Sequence, residues 1–284
     1  MKRVLVIVVT YNGRHWLERC LGSVAQSAVD LFVFDNDSTD GSADYVAAHF
    51  PDATLVRSAE NLGFSKPNNL GFQYALKHGY DYVYLLNQDA WLEEGALEKL
   101  VAAAEAHKEY AVLSPLQMTD GYKDLDAQFH KILRSAQNDS LVAVKHVMAA
   151  HWLVPVAALK QVGAFNEALF PFYGQDYDWC NRARYHGWRI GVVPQARAVH
   201  DRARRTEPKE RTIDRNYRVG SLLRLCDIRR PLWERFLFVC LFTLVKAVKY
   251  GSFLPFKHFG GICRQMKQVR TARMAARKGG MQFV

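Results

Sequence analysis

The sequence predicts an α/β fold: a mostly parallel central sheet flanked by helices, with a C-terminal helical extension. Three observations carry this. Up to about residue 200, short apolar runs alternate with stretches of helical periodicity, the pattern of β-α-β units. Those runs are nearly continuous rather than alternating with polar residues, which fits a sheet covered on both faces. Charge is also divided: residues 1–201 hold 18 Lys and Arg against 23 Asp and Glu, a net of −5, whereas residues 202–284 hold 20 against 5, a net of +15. A basic appendage therefore follows a mildly acidic body.

Each element can be justified in turn. Lys2 and Arg3 ahead of the apolar Val4 to Val9 have the charge order of a secretory leader. The run is short, however, and passes into Thr10-Tyr11-Asn12-Gly13 without a small-residue cleavage site, so a first buried strand is expected at Val4 to Thr10. A helix follows at Trp16 to Gln26, where Trp16, Cys20, Leu21 and Val24 share one face. Leu31 to Phe34 is the second strand, Ala43 to His49 a helix and Thr54 to Val56 the third strand. A helix is expected from Pro67 to His78, proline being suited to a first turn. Asp81 to Leu86 reads as the fourth strand, Glu94 to His107 as a long helix and Ala111 to Ser114 as a fifth strand. From Pro115 to about Lys145 periodicity fades, with a polar stretch at Thr119 to Asp126; loops of this length are usually functional. Strand character returns at Val147 to Val154. A helix at Asp176 to His186 and a strand at Arg189 to Val193 complete the body.

With 49% hydrophobic and 12% aromatic residues, the 284-residue chain can fill one large core with an appendage. Five cysteines are scattered without a C-x-x-C pair, so reduced thiols in a cytosolic setting are expected.

Polar residues gather where the strands end. In an open parallel sheet ligands bind beyond the carboxyl ends of the strands. The fourth strand runs abruptly into Asn87-Gln88-Asp89, and a carboxylate there suits a hard divalent ion that also holds phosphates. The other reading makes Asp89 the N-cap of a helix starting near Leu92. The second strand ends in Asp35-Asn36-Asp37-Ser38-Thr39-Asp40-Gly41-Ser42. Asp35 could accept the N3–H of a pyrimidine base, while Asp37 to Asp40 equally suit a turn and helix cap. In Asn61 to Gly71, Lys66 and nearby backbone N–H groups are placed to face a phosphate, unless they form a plain helix start. Asp176 and Asp178 stand among aromatic residues as a helix begins; an acid in apolar company suits a general base, though Asp176 also suits an N-cap. His200 follows a strand and becomes a candidate imidazole ligand if Asp89 binds metal.

Taken in order, Val8-Val9-Thr10-Tyr11-Asn12, Asp35 to Ser42, Asn61-Leu62-Gly63-Phe64, Asn68-Asn69, Leu86-Asn87-Gln88-Asp89, Gln175-Asp176 and His200 resemble family 2 glycosyltransferases, nearest the rhamnosyltransferase-like branch of bacterial surface-polysaccharide synthesis. The resemblance covers roughly residues 3 to 202. It implies a GT-A fold with a Rossmann-like nucleotide-sugar half at 1–114 and an acceptor half at 115–205, followed by a basic helical extension at 206–284. It further implies an inverting enzyme using a UDP- or dTDP-sugar donor and a glycan or lipid-linked glycan acceptor. Thr10, Tyr11, Asn12 and Asp35 would then line the base and ribose pocket, with Asp37 in the same nucleotide-binding segment and Lys66, Asn69, Asn87 and Gln88 also on the donor side. Asp89 and His200 would bind Mn²⁺ or Mg²⁺ and Asp176 would be the base. Two departures stand out: Gln175 replaces the usual acidic residue before the base, and Ser65-Lys66-Pro67 replaces a small, Gly-rich segment.

In the basic extension, Phe236 to Val245 is an apolar run of 10 residues, whereas a spanning helix needs about 20. With Trp233, Tyr250 and the cations between 229 and 278, Leu232 to Lys249 reads as an interfacial helix on an anionic membrane, which would place the protein peripherally on the inner face of the cell membrane. A helix packed on the catalytic body or another subunit is the other reading. Arg264 to Lys278 shows no obvious core face. Nucleic-acid binding is disfavoured because the tail's aromatic residues cluster in one apolar block instead of interleaving with the cations. A sugar-phosphate nucleotidyltransferase would carry a Gly-rich phosphate loop after the first strand, where only Gly13 stands; a catalytically impaired sugar-nucleotide binder is the remaining alternative.

Overall fold

The computed structural model describes residues 2–119, 124–126, 129–130, 140–201, 209–250 and 253–280. Part of the polar stretch at 119–126 and the 205/206 boundary lie outside them. One mixed nine-stranded sheet organises the body, in the order β3-β2-β1-β4-β8-β6-β9-β5, with β7 also paired to β9. Its first half is built from β1 (Val4–Thr10), α1 (Arg14–Ala25), β2 (Asp30–Asp35), α2 (Ser42–His49), β3 (Thr54–Arg57), α3 (Ser65–Lys77) and β4 (Tyr82–Asn87). All pairings among these four strands are parallel. Val4, Val6 and Val8 of β1 pack on one face of the sheet and Leu5 and Ile7 on the other, each within a separate apolar cluster. Burial on both faces explains the near-continuous apolar strands.

The second half is mixed. β5 (Ala90–Leu92), α4 (Ala96–Ala106), β6 (Tyr110–Met118), β7 (Val142–Val144), β8 (His151–Pro155), α5 (Val156–Val162), α6 (Gln175–Tyr185) and β9 (Arg189–His200) follow. β8 runs antiparallel between β4 and β6, and β9 is parallel to β6 but antiparallel to β5 and β7. Two of these strands outrun the sequence expectation, and proline is the reason. Pro115 and Pro194 made Ser114 and Val193 read as strand ends. Instead the β6–β9 register slips between Pro115↔Val193 and Leu116↔Arg197, so β9 carries extra residues through a bulge. Prolines, which cannot donate to the ladder, are tolerated at bulges. The continuation matters, because it delivers His200 opposite Ala90. By contrast, Val147 to Ala150 precede β8 and do not join it.

Four helices make the extension: α7 (Lys209–Cys226), α8 (Leu232–Tyr250), α9 (Leu254–Arg264) and α10 (Met266–Lys278). They share a third apolar cluster in which Tyr217, Leu222, Leu225, Val239, Ile262 and Val269 meet Leu169 and Phe170 of the body. The expectation that Arg264 to Lys278 lacks a core face is corrected here, since α10 buries Val269, Arg273 and Ala276 at helical spacing. Arg273 is no surface charge. Its guanidinium donates to the carbonyls of Leu225 and Asp227 at 2.7 and 2.6 Å, meeting the exposed acceptors and negative dipole at the end of α7.

Candidate active site

Register aligns the strand tips. Thr10 pairs with Asp35 and Val9 with Asn87, so the loops after β1, β2 and β4 leave the sheet side by side. They are tied to each other by side chains. Thr10 Oγ1 and the Tyr11 N–H donate to Gln88 Oε1 at 2.9 and 2.8 Å, while Gln88 Nε2 donates back to the Tyr11 carbonyl at 3.2 Å. A Cβ at Gly13 would lie 2.1 Å from Gln88 Oε1, so a larger residue there would push this amide off its partners. Asn12 Oδ1 accepts the Thr39 N–H at 2.8 Å, and Ser38 Oγ accepts the Asn12 N–H at 3.0 Å. Asn12 and Asp37 hold φ of 48° and 68°, a left-handed conformation that Asn and Asp tolerate best among non-glycine residues.

Beyond these tips lies a cavity of about 460 Å³. Tyr11, Asn87, Gln88, Asp89, Asp176 and His200 all line it. Thr10 is fully buried beneath the β1 tip, and Asp35 is buried with Oδ1 lacking a hydrogen-bond partner among the described residues. Its other oxygen accepts the Ser38 N–H at 3.1 Å. A buried carboxylate oxygen without a donor is uncommon enough to call for a ligand or a water. Asn12 and Asp37 are exposed on the adjoining loops.

Lys66 and Asn69 stand apart. At the α3 start the Phe64 and Ser65 N–H groups, expected to face a phosphate, both donate to the Pro171 carbonyl, at 2.8 and 3.0 Å. Lys66 is exposed and not in the cavity wall. Asn69 is buried and spends its amide on the Phe165 backbone and Glu167.

Asp89 is not a helix cap. Ala90–Leu92 form β5, and α4 begins after Gly95. Asp89 Oδ1 instead lies 3.4 Å from His200 Nε2, both side chains being buried. The pairing of β5 with the end of β9 sets this approach, and the Asp201 N–H donates to the Asp89 carbonyl at 2.8 Å. Asp201 is itself anchored by Trp16 Nε1 at 3.1 Å. The donor set fits a divalent ion: a carboxylate and an imidazole side by side on a cavity wall offer two ligands, leaving positions for phosphate oxygens. No cluster of three or more His, Cys, Asp or Glu able to hold a metal occurs among the described residues.

Across the cavity, α6 follows Gly174, whose φ is +88°. Asp176 occupies its first turn, where negative charge is favoured by the helix dipole. Asp178, the other carboxylate of that aromatic stretch, is turned away: it accepts from Arg182 at 2.8 Å, and Arg182 donates to the carbonyls of Val162 and Ala164. That pair fixes α6 to the segment before it. Gln175 is buried on the cavity wall, with Oε1 unpartnered among the described residues.

Several contributors escaped the sequence reading. Asn36 donates to Asn61 Oδ1 and the Gly63 carbonyl at 2.9 and 2.8 Å and accepts the Leu62 N–H at 2.7 Å, setting the 61–63 loop into the wall. Its place in the acceptor-rich run after β2 was the available signal. His151 had none, being a residue inside an apolar strand. It accepts from or donates to the Tyr84 hydroxyl at 2.8 Å, and its Nε2 faces the Val199 carbonyl at 3.0 Å, one residue before His200. Burial is the main cause holding its pKa down from 6.5 to about 3, against the opposing Val199 hydrogen bond. The native state therefore refuses a proton that the unfolded chain accepts below pH 6.5. Stability should fall as pH drops through that window, by about 2 kcal/mol at pH 5 from this group. Denaturant titrations should show a flatter acid limb for His151→Gln; parallel limbs would remove the assignment.

Comparison with known proteins matches residues 5–153 to the sequence family described as Glycosyl transferase family 2. The chain is 26% identical over 242 residues to the N-acetylglucosaminyl-diphospho-decaprenol L-rhamnosyltransferase of Mycobacterium tuberculosis, covering 71% of this chain and 76% of that protein. It is 29% identical over 117 residues to the polyprenol monophosphomannose synthase of Mycolicibacterium smegmatis, covering 39% and 44% of the two chains. Among solved structures, the mannosyltransferase PcManGT of Pyrobaculum calidifontis in complex with GDP-Man and Mn²⁺ superposes with a TM-score of 0.62 at 18% identity, over 97% of this chain and 84% of that one. S. aureus TarS 1-349 gives 0.61 at 18%, over 84% and 69%.

Proposed function

Because this chain belongs to glycosyl transferase family 2 and is a glycosyltransferase of GT-A fold, we propose that it transfers a sugar, with inversion, from a UDP- or dTDP-sugar to a hydroxyl of a glycan or lipid-linked glycan. One observation carries the reading: Asp89, His200 and Asp176 converge on a single cavity at the strand tips. The 1–114 half would bind the donor and the 115–205 half the acceptor.

In this mechanism Asp35 accepts the N3–H of the pyrimidine, while Thr10, Tyr11, Asn12, Asp37, Asn87 and Gln88 form or brace the nucleotide side. When bound, a divalent ion held by Asp89 and His200 supplies positive charge against the departing diphosphate. Asp176 takes the proton from the acceptor hydroxyl as its oxygen bonds to the anomeric carbon. The bond to the diphosphate oxygen breaks on the opposite face, so one base suffices and no glycosyl-enzyme forms. Relatives named for decaprenol- and polyprenol-linked chemistry support a lipid-linked acceptor in bacterial cell-envelope synthesis; such an acceptor would place the protein at the inner membrane face.

A panel of sugar nucleotides, each with and without Mn²⁺, tests this by thermal shift and by release of nucleoside diphosphate. Pyrimidine donors should stabilise the protein and be consumed. Preference for purine donors would remove the Asp35 role, and indifference to every donor would sink the assignment.

A further inference from the structure

We infer that the outward face of α8, continued by the turn into α9, docks on an anionic lipid bilayer. This deepens the membrane-surface part of the proposed function and does not depend on its chemistry.

The stripe is built by helical spacing. Trp233, Leu237, Leu241, Leu244 and Val248 recur every three or four residues and so share one side of α8. All are exposed, from 52% at Leu244 to 83% at Val248, and Phe253 beyond the helix is 86% exposed. The opposite side is committed: Val239 and Thr243 are buried, and Thr243 Oγ1 meets the Tyr217 hydroxyl of α7 at 2.6 Å. Large apolar side chains in a contiguous exposed row mark an interaction surface, unlike singly scattered ones.

Charge selects the occupant. Lys246 and Lys249 lie at the end of the same helix and Lys257 on α9, within a segment of net +15 over residues 202–284. A second copy would bring an equal positive charge against the first, whereas anionic headgroups accept the cations as the apolar row enters the acyl boundary. No helix among the described residues is long and apolar enough to cross a membrane, so the helix lies along the surface. Docking there also orients the catalytic cavity. α7 packs on the loop before Asp176, with Val219 against Gly174 and the Arg215 guanidinium 4.2 Å above the Tyr173 ring.

The test is co-sedimentation of the full chain with phosphatidylcholine vesicles, with and without phosphatidylglycerol. Binding should require the anionic lipid and weaken with salt. Leu237→Ser with Leu241→Ser and Val248→Ser should lower partitioning at least about tenfold, and Lys246→Glu with Lys249→Glu by about fivefold or more per cation. Donor-induced stabilisation should stay unchanged in both variants, because none of these side chains lies in the cavity. Vesicle binding equal in wild type and the serine variant overturns the proposal. So does light scattering that shows a wild-type dimer dissociating in that variant, which would put a second copy on the face. Loss of lipid binding with intact donor turnover would fail this inference alone, whereas donor indifference with intact lipid binding would fail only the catalytic reading.

Discussion

Asp176→Asn should abolish most turnover while leaving donor affinity intact. A positioned general base contributes roughly 10²- to 10⁴-fold, and a carboxamide of the same shape cannot take the acceptor proton. The structure makes the variant a clean one. Asp176 sits in the first turn of α6, where its Oδ1 accepts the Tyr177 N–H at 2.8 Å, a bond that the Asn carbonyl oxygen keeps. Helix anchoring falls to a different acid, Asp178, whose ion pair with Arg182 is buried. Asp178→Asn is the matching control: breaking a buried pair costs about 3–5 kcal/mol of stability but should change kcat far less. Steady-state kinetics, with nucleotide binding measured by calorimetry, separate the two. The base assignment fails if Asp176→Asn turns over at the wild-type rate. A loss of donor binding in that variant would instead make Asp176 a donor contact.

How much of this was legible beforehand depends on periodicity. The parallel half of the sheet could be read because its strands are buried on both faces and separated by amphipathic helices of ordinary length. Asp35 and Asp89 stood out as candidates because each follows an apolar run. What escaped were features set by long-range pairing. β5 is three residues long, too short for any pattern, and without it Asp89 read equally well as a cap. The bulge at Pro115 and Pro194 hid the continuation of β9 to His200. The Asn69 contacts were not legible, because a polar residue near a helix start looks the same whether it meets a phosphate or the Phe165 backbone. Arg273 counted as a surface cation until helix packing buried it against three carbonyls.

The second large effect falls on metal dependence. Asp89→Asn keeps the buried volume and the backbone link to Asp201 but removes the only charge this segment brings to the cavity. That charge reaches its surroundings: burial, and then Asp89, push the Cys20 thiol's pKa upward on the neighbouring helix. If Asp89 and His200 hold the ion, Asn at 89 should raise the Mn²⁺ concentration for half-maximal activity and lower kcat by about two orders of magnitude, a few kcal/mol of lost charge stabilisation. His200→Ala should act on the same step, so the double variant should be little worse than Asp89→Asn alone, as expected for groups serving one ligand. A readout without turnover keeps this separate from the base. Electron paramagnetic resonance of Mn²⁺ titrated with protein and nucleoside diphosphate should show tight ternary binding in wild type and in Asp176→Asn, but not in Asp89→Asn. Equal Mn²⁺ binding in Asp89→Asn would detach the ion from this carboxylate. Chelator-resistant turnover by the wild type would dismiss the ion altogether and leave the pair at 3.4 Å as an electrostatic contact between the start of β5 and the end of β9.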